Sequence, residues 1–271
     1  MNQLRIGTGR SNITPAPGTP QGIWGAQTHE RGVDSDLPLY ATALAISDSR
    51  QTALIIDVDA IGFNAEWSDK ILDAVAAMTR VPRDHIRVAA SHTHSGPKTQ
   101  RLEVITEGLE MAVEYLETLP LRIAGAAWQA INNLKPARVA AGTGECAINV
   151  NRRLELADGR MVVGRNWDGP VDHTVRVVRF DDLEEQPIAT IVHYACHPTI
   201  MAWDNQWFTP ELPPSISIRC PRPRAASTNT TSFIRSRACN GVFVRVSRTT
   251  QLSRPAASKL AIMGGATVRF Q

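Results

Sequence analysis

Leu39-Tyr40-Ala41-Thr42-Ala43-Leu44-Ala45-Ile46-Ser47, then Asp48-Ser49-Arg50-Gln51, then Thr52-Ala53-Leu54-Ile55-Ile56-Asp57-Val58-Asp59 is the stretch that decides the fold. Two apolar runs around a four-residue polar turn predict a β-hairpin. The second run is almost wholly apolar, as expected of a strand covered on both faces. Downstream, Asn64 is placed to cap a helix in which Trp67, Ile71, Leu72, Val75 and Met78 recur at helical spacing before Pro82. Ile86–Ala90 then predicts a third strand. Upstream, Gly7, Gly9, Pro15, Pro17, Gly18 and Pro20 predict a loop with at most short strands.

Two further helices are predicted, over about 104–119 and after Pro120 up to Pro136, with the break at the proline. Strand-like segments return at Val139–Gly142, Thr174–Phe180 and Ile188–Cys196. The alternation predicts an α/β fold in which helices flank a mixed central β-sheet.

The chain has 271 residues, 43% hydrophobic and 20% charged, which is ordinary globular composition and excludes collagen, coiled coil and wholesale disorder. No apolar run approaches the roughly 18–20 residues of a membrane helix. Met1–Pro15 shows no apolar signal region, so a cytoplasmic location is expected. Four cysteines without a C-x-x-C pair argue against a disulfide framework or a zinc ribbon.

The net charge of +3 hides an asymmetry. Residues 1–211 carry 19 basic and all 26 acidic groups, whereas 212–271 carry nine Arg, one Lys and no acid. The sequence therefore divides into an acidic portion, 1–211, and a basic tail, 212–271, that is expected to be irregular and is readable as an out-of-frame translation. An unbroken positive charge could serve nucleic-acid binding. Because the arginines are scattered and the only aromatics there are Phe233, Phe243 and Phe270, a nucleic-acid partner is not expected.

The strongest chemical candidate is His92-Thr93-His94, just past a strand. On extended chain an H-x-H pair points both imidazoles to one side, suiting one divalent metal or one ligand beside a second histidine. Surface histidines bonded to backbone are the alternative. His193-Tyr194-Ala195-Cys196-His197-Pro198 closes another apolar run, and the two clusters could converge at one sheet edge. His193 reads as a core histidine, while His197 stays open between structure and ligation.

Asp57 and Asp59 could bind a cation or hydrogen-bond loop amides. Arg152, in Asn151-Arg152-Arg153 of a Gly- and Asn-rich loop, could clamp an oxyanion or sit solvated on the surface. Cys196 reads as packing rather than as a nucleophile. A Walker loop, a G-x-S-x-G elbow and a G-x-G-x-x-G after a strand are all missing, which argues against nucleotide and serine-hydrolase chemistry.

Several ordered pieces resemble the N-terminal part of the neutral/alkaline non-lysosomal ceramidase family, over roughly residues 4–211. They are Gly7-Thr8-Gly9-Arg10-Ser11-Asn12-Ile13-Thr14-Pro15, the hairpin runs, Ala90-Ser91-His92-Thr93-His94-Ser95-Gly96-Pro97, Val150-Asn151-Arg152-Arg153, Gly169-Pro170-Val171-Asp172 and Tyr194-Ala195-Cys196-His197-Pro198-Thr199. The resemblance implies a zinc hydrolase that cleaves the amide bond of N-acylsphingosines, releasing a fatty acid and a sphingoid base. It implies His92 and His197 as zinc ligands, His94 beside the metal and Arg152 near the reacting group. A lipid amide substrate brings peripheral membrane contact as a further expectation. The family's remaining zinc ligands, a glutamate and a tyrosine, and a functional serine belong beyond the His-Pro motif. Residues 212–271 contain neither Glu nor Tyr. An inactive zinc-binding fragment is therefore the competing reading.

Overall fold

The structure, a computed structural model, describes residues 3–21 and 27–211 together with the backbone of 216–219 and 267–268. The elements run β1 (Arg5–Asn12), β2 (Asp34–Ser35), β3 (Tyr40–Ser47), β4 (Thr52–Val58), α1 (Ala65–Thr79), β5 (Ile86–Ala90), α2 (Leu109–Asn132), β6 (Lys135–Pro136), β7 (Arg138–Glu145), β8 (Asn151–Glu155), β9 (Met161–Asn166), β10 (Thr174–Asp181), β11 (Pro187–Tyr194), β12 (Trp207–Phe208), β13 (Ile216–Arg219) and β14 (Thr267–Val268). The first sheet has the order β5-β4-β3-β1-β6 and is mixed, because only β4 and β5 run parallel. The second has the order β13-β11-β10-β7-β14.

The hairpin forms as its sequence predicts. Ser47 pairs with Thr52, and Asp48 Oδ1 accepts from the amides of Arg50 and Gln51 at 2.9 Å each, which closes the turn. Helix α1 starts where Asn64 Oδ1 accepts from the Trp67 amide at 2.9 Å and ends in Arg80, which is left-handed. Such a cap is worth about 1 kcal/mol. Trp67, Ile71 and Val75 face the core, while Met78 lies outside the buried stripe.

Both faces of the first sheet are covered. Strand β3 sends Ala43 and Ala45 toward the helices and Leu44 the other way, to a second core with Ile6, Phe180, Ile188 and Ala189. The order of layers is thus helices, mixed sheet, second sheet.

Three expectations change. Of the Gly- and Pro-rich start, residues 13–20 lie outside the strands as expected, but Arg5–Asn12 is the eight-residue β1, paired along its length with β3. Its glycines are there for contact rather than for turning. A Cβ on Gly7 would lie 2.1 Å from the Ala130 carbonyl oxygen, and one on Gly9 would lie 2.0 Å from that of Ala126. Strand and helix backbones touch, and only glycine allows it.

The second and third predicted helices are one, α2, with Pro120 inside it. Proline removes a helical hydrogen bond, at about 3 kcal/mol in an isolated helix. Here Tyr115, Leu116 and Leu119 before it and Ile123, Ala127 and Ala130 after it are buried in one core, so packing holds the helix together across the break. Arg152 also differs from expectation, since Asn151-Arg152-Arg153 opens strand β8 of a hairpin with β9 rather than lying in a loop. Of the tail, the backbone of β13 pairs with β11 and that of β14 with β7. The rest of the expected irregular tail lies outside the described residues. No helix among the described residues is long and apolar enough to cross a membrane.

Because backbone occupies the space that a methyl would need, Gly9→Ala is expected to push α2 from β1 and cost about 1–3 kcal/mol. A thermal melt showing a midpoint unchanged from wild type would refute the close-contact role.

Candidate metal centre

Strand β5 ends at Ala90, and the chain then runs along the end of β4: Ser91 N donates to Val58 O and His92 N to Ala60 O, both at 2.8 Å. His92 itself is left-handed, φ 62°. The H-x-H segment is therefore not extended, and the expected strand alternation does not place its rings. A non-glycine residue in this region is held there by its surroundings. The hold is visible: His92 Nδ1 lies 2.7 Å from the Ile61 carbonyl oxygen. A carbonyl only accepts, so the proton is on Nδ1 and the Nε2 lone pair is left for a ligand.

Strand β11 ends at Tyr194, and His197 follows in the turn that Pro198 continues. It meets the other two histidines. Ring centroids are 5.0 Å apart for His92 and His94, 5.1 Å for His92 and His197, and 4.7 Å for His94 and His197. One nitrogen from each of the three lies within 4.8 Å of the others, which is compatible with a single shared cation. Convergence of the two histidine clusters is what the sequence permitted. His197 Nδ1 is buried and without a hydrogen-bond partner among the described residues.

Burial, with the neighbouring charges of His197, His92 and Arg152, pushes His94 down to about 4. Burial, with Arg152 and His92, does the same to His197. Both imidazoles are therefore neutral at pH 7, the state a metal ligand requires. Arg152 acts here through its field, from the irregularity in the β8–β9 pairing between Asn151 and Arg153. The preceding loop is tied to the histidine segment, since Asn149 Nδ2 donates to the Ala195 carbonyl at 2.7 Å.

Other candidates stay apart from this cluster. His193, half-buried on β11, pairs with Arg176 on the neighbouring strand. Asp59 Oδ2 accepts from the Tyr40 amide at 2.9 Å, the loop-amide role, and Asp57 is buried on β4. Cys196 packs as a half-buried thiol near Val175, Val177 and Tyr194. A cavity of about 510 Å³ lined in part by Leu4, Asp48, His85 and Arg87 opens at the start of β5, at the other end of the strand from His92.

Sequence reading missed two residues beside the cluster, Ser95 and Glu211. Both are buried, and Ser95 Oγ donates to Glu211 Oε1 at 2.7 Å. Their separation of 116 residues leaves no local spacing signal. The one cue is that Glu211 is the last acid in the chain.

The profile of neutral/alkaline non-lysosomal ceramidases, N-terminal part, matches residues 4–211. The chain belongs to this family. The ceramidase fold is shared with solved structures: a ceramidase complexed with C2 superimposes with a TM-score of 0.62 at 20% identity, over 78% of this chain and 34% of that one. The neutral ceramidase from Pseudomonas aeruginosa gives 0.61 at 20% identity with the same coverage. The chain thus spans about a third of the length of these ceramidases. No curated protein matches it.

The depressed histidines set a pH dependence for this ceramidase-family chain without metal. Unfolded histidines take protons near 6.5, whereas the folded His94 and His197 take them only near 4. The unfolded state binds more protons in between, so stability falls as pH drops from about 6.5 to 4. NMR titration should show both rings neutral at pH 5.5; ordinary titration near 6.5 would refute the burial argument.

Proposed function

We propose that this domain is the metal-holding part of a hydrolase for ceramide-like lipid amides, cleaving N-acylsphingosine to a sphingoid base and a fatty acid. The observation that carries this reading is the three-imidazole cluster built from His92, His94 and His197 in a chain of the ceramidase family. The residues fit zinc. His92 is locked in the tautomer that presents Nε2, and His197 has a buried nitrogen left over. All-nitrogen donor sets suit zinc better than magnesium or calcium.

In this reading His92 and His197 hold the ion, and His94 stands beside the reacting group. Bound zinc supplies Lewis acidity, acidifying water to near neutrality and polarising an amide carbonyl. His94, neutral at pH 7, can take up a proton at its ring nitrogen and hold it for the departing amine. The guanidinium of Arg152 offers a positive field to the negative charge that develops on the carbonyl oxygen. Trp203 and Trp207, 51% and 46% exposed, stand in the segment after His197 and suit contact with a lipid surface, where one side of an indole is apolar and the other wet.

A second reading is a metal-binding fragment without turnover. It is favoured by the composition of 212–271, which holds neither Glu nor Tyr. Zinc content by atomic spectroscopy and fatty-acid release from a labelled short-chain ceramide decide between the two. Zinc with hydrolysis supports the first; zinc without hydrolysis supports the second. His92→Ala is expected to abolish zinc binding, and an unchanged zinc content would sink the ligand assignment.

We also propose that 212–271 is an out-of-frame continuation, because the acids stop where the family match stops, at residue 211. Translating the other two frames of the gene beyond codon 211 should restore a serine-bearing segment with later Glu and Tyr. If neither frame does so, the idea fails.

A further inference from the structure

Glu211 sits where the two histidine-bearing segments meet. Its Oε1 accepts from Ser95 Oγ at 2.7 Å, one residue past His94. The same oxygen lies 3.4 Å from the amide of Met201, in the loop after His197. Around it the main chains are joined as well: Thr209 N donates to Ser95 O at 3.0 Å, and Thr93 Oγ1 donates to Thr209 O at 2.9 Å. Thr93, Ser95, Thr209 and Glu211 are all buried, with Glu211 only 8% exposed. A carboxylate this deep, with no cation beside it among the described residues, is retained for its hydrogen bonds. Its second oxygen, Oε2, is buried and takes no hydrogen bond among the described residues, so the side chain is placed by Oε1 alone.

We propose that Glu211 is the positioning residue of the metal centre: through Ser95 and Met201 its carboxylate holds the His92–His94 turn and the His197 turn at their mutual spacing. The two turns come from different sheets, β5 of the first and β11 of the second, so neither sheet's own ladder fixes one against the other. Bonds that orient ligands from outside the donor set commonly govern metal affinity by 10–100-fold. Burial raises the Glu211 carboxyl above its ordinary range, opposed by the hydrogen bonds from Ser95, Met201 and the His94 backbone, consistent with a group fixed by donors rather than by charge.

Two readouts on the full chain test this. The first is amide hydrogen exchange of metal-free protein over 92–99 and 198–209. Glu211→Ala should speed exchange in both segments, Ser95→Ala should do so chiefly in the first, and Glu211→Gln, which keeps an acceptor at Oε1, should stay near wild type. The second is zinc affinity by competition with a chromogenic chelator, and this arm rests on the function proposed above. Glu211→Ala should bind roughly 10–100-fold more weakly, with Glu211→Gln within a few-fold of wild type. Unchanged exchange and affinity in Glu211→Ala would overturn the proposal. So would a loss in Glu211→Gln equal to that in Glu211→Ala, since the acceptor would then not be what matters. Should Glu211→Ala fail to fold, Ser95→Ala and Glu211→Gln decide by the same measurements. A wild-type chain that takes up no zinc would defeat the proposed function, while the exchange arm would still decide whether Glu211 joins the two turns.

Discussion

The packing of Ile6 and Leu44 against Phe180, Ile188 and Ala189 is the interaction on which the rest depends. It stacks one sheet on the other and so fixes the relative position of β5 and β11. Each strand ends in a histidine-bearing turn; the first is bonded to the end of β4 in its own sheet, but neither ladder reaches across to the other turn. Remove the inter-sheet core, and His197 has no reason to lie within about 5 Å of His92 and His94. Burying an aliphatic or aromatic side chain of this size contributes about 1.5–3 kcal/mol, so the core is a strong constraint where each single hydrogen bond in the site is a weak one.

The opposite face of the first sheet plays a different part. There α2 rests on β1 so closely that the helix touches strand backbone at Gly7 and Gly9. Tyr115 Oη donates to Ile13 O at 2.7 Å at the far end of the same contact. This layer makes β1 and β3 rigid and buried on both sides. The precision needed by a metal site is inherited from such rigid elements, because turns anchored at both ends of a buried strand move less than free loops.

Apolar spacing made the hairpin, α1 and the strands β5, β7, β10 and β11 legible in the sequence, since each of these has a pattern that its own neighbours complete. Where the deciding partner was distant, reading failed. Gly7 and Gly9 look like loop residues until Ala126 and Ala130 are brought against them. Pro120 looks like a stop until the buried residues on both sides are seen in one core. The Asp158-Gly159 turn between β8 and β9 carries a hairpin signal, but the strands beside it expose Met161 and Val163 and lack the apolar alternation that usually announces a pair. The same distinction applies to the site. His92, His94, His197 and Arg152 were visible from motifs, whereas Ser95 and Glu211 gain their place only from partners distant in sequence.

The electrostatics of the cluster narrow what it can serve. Imidazole ligands bring no negative charge to a bound cation, and the nearby Arg152 adds a positive one beside His94 and His197. The buried carboxylate that could compensate is turned to Ser95 and Met201 instead. A divalent ion here would keep most of its charge, which strengthens its pull on electron density and lowers the pKa of water beside it. The same surplus would draw anionic groups toward the cluster and repel cationic ones.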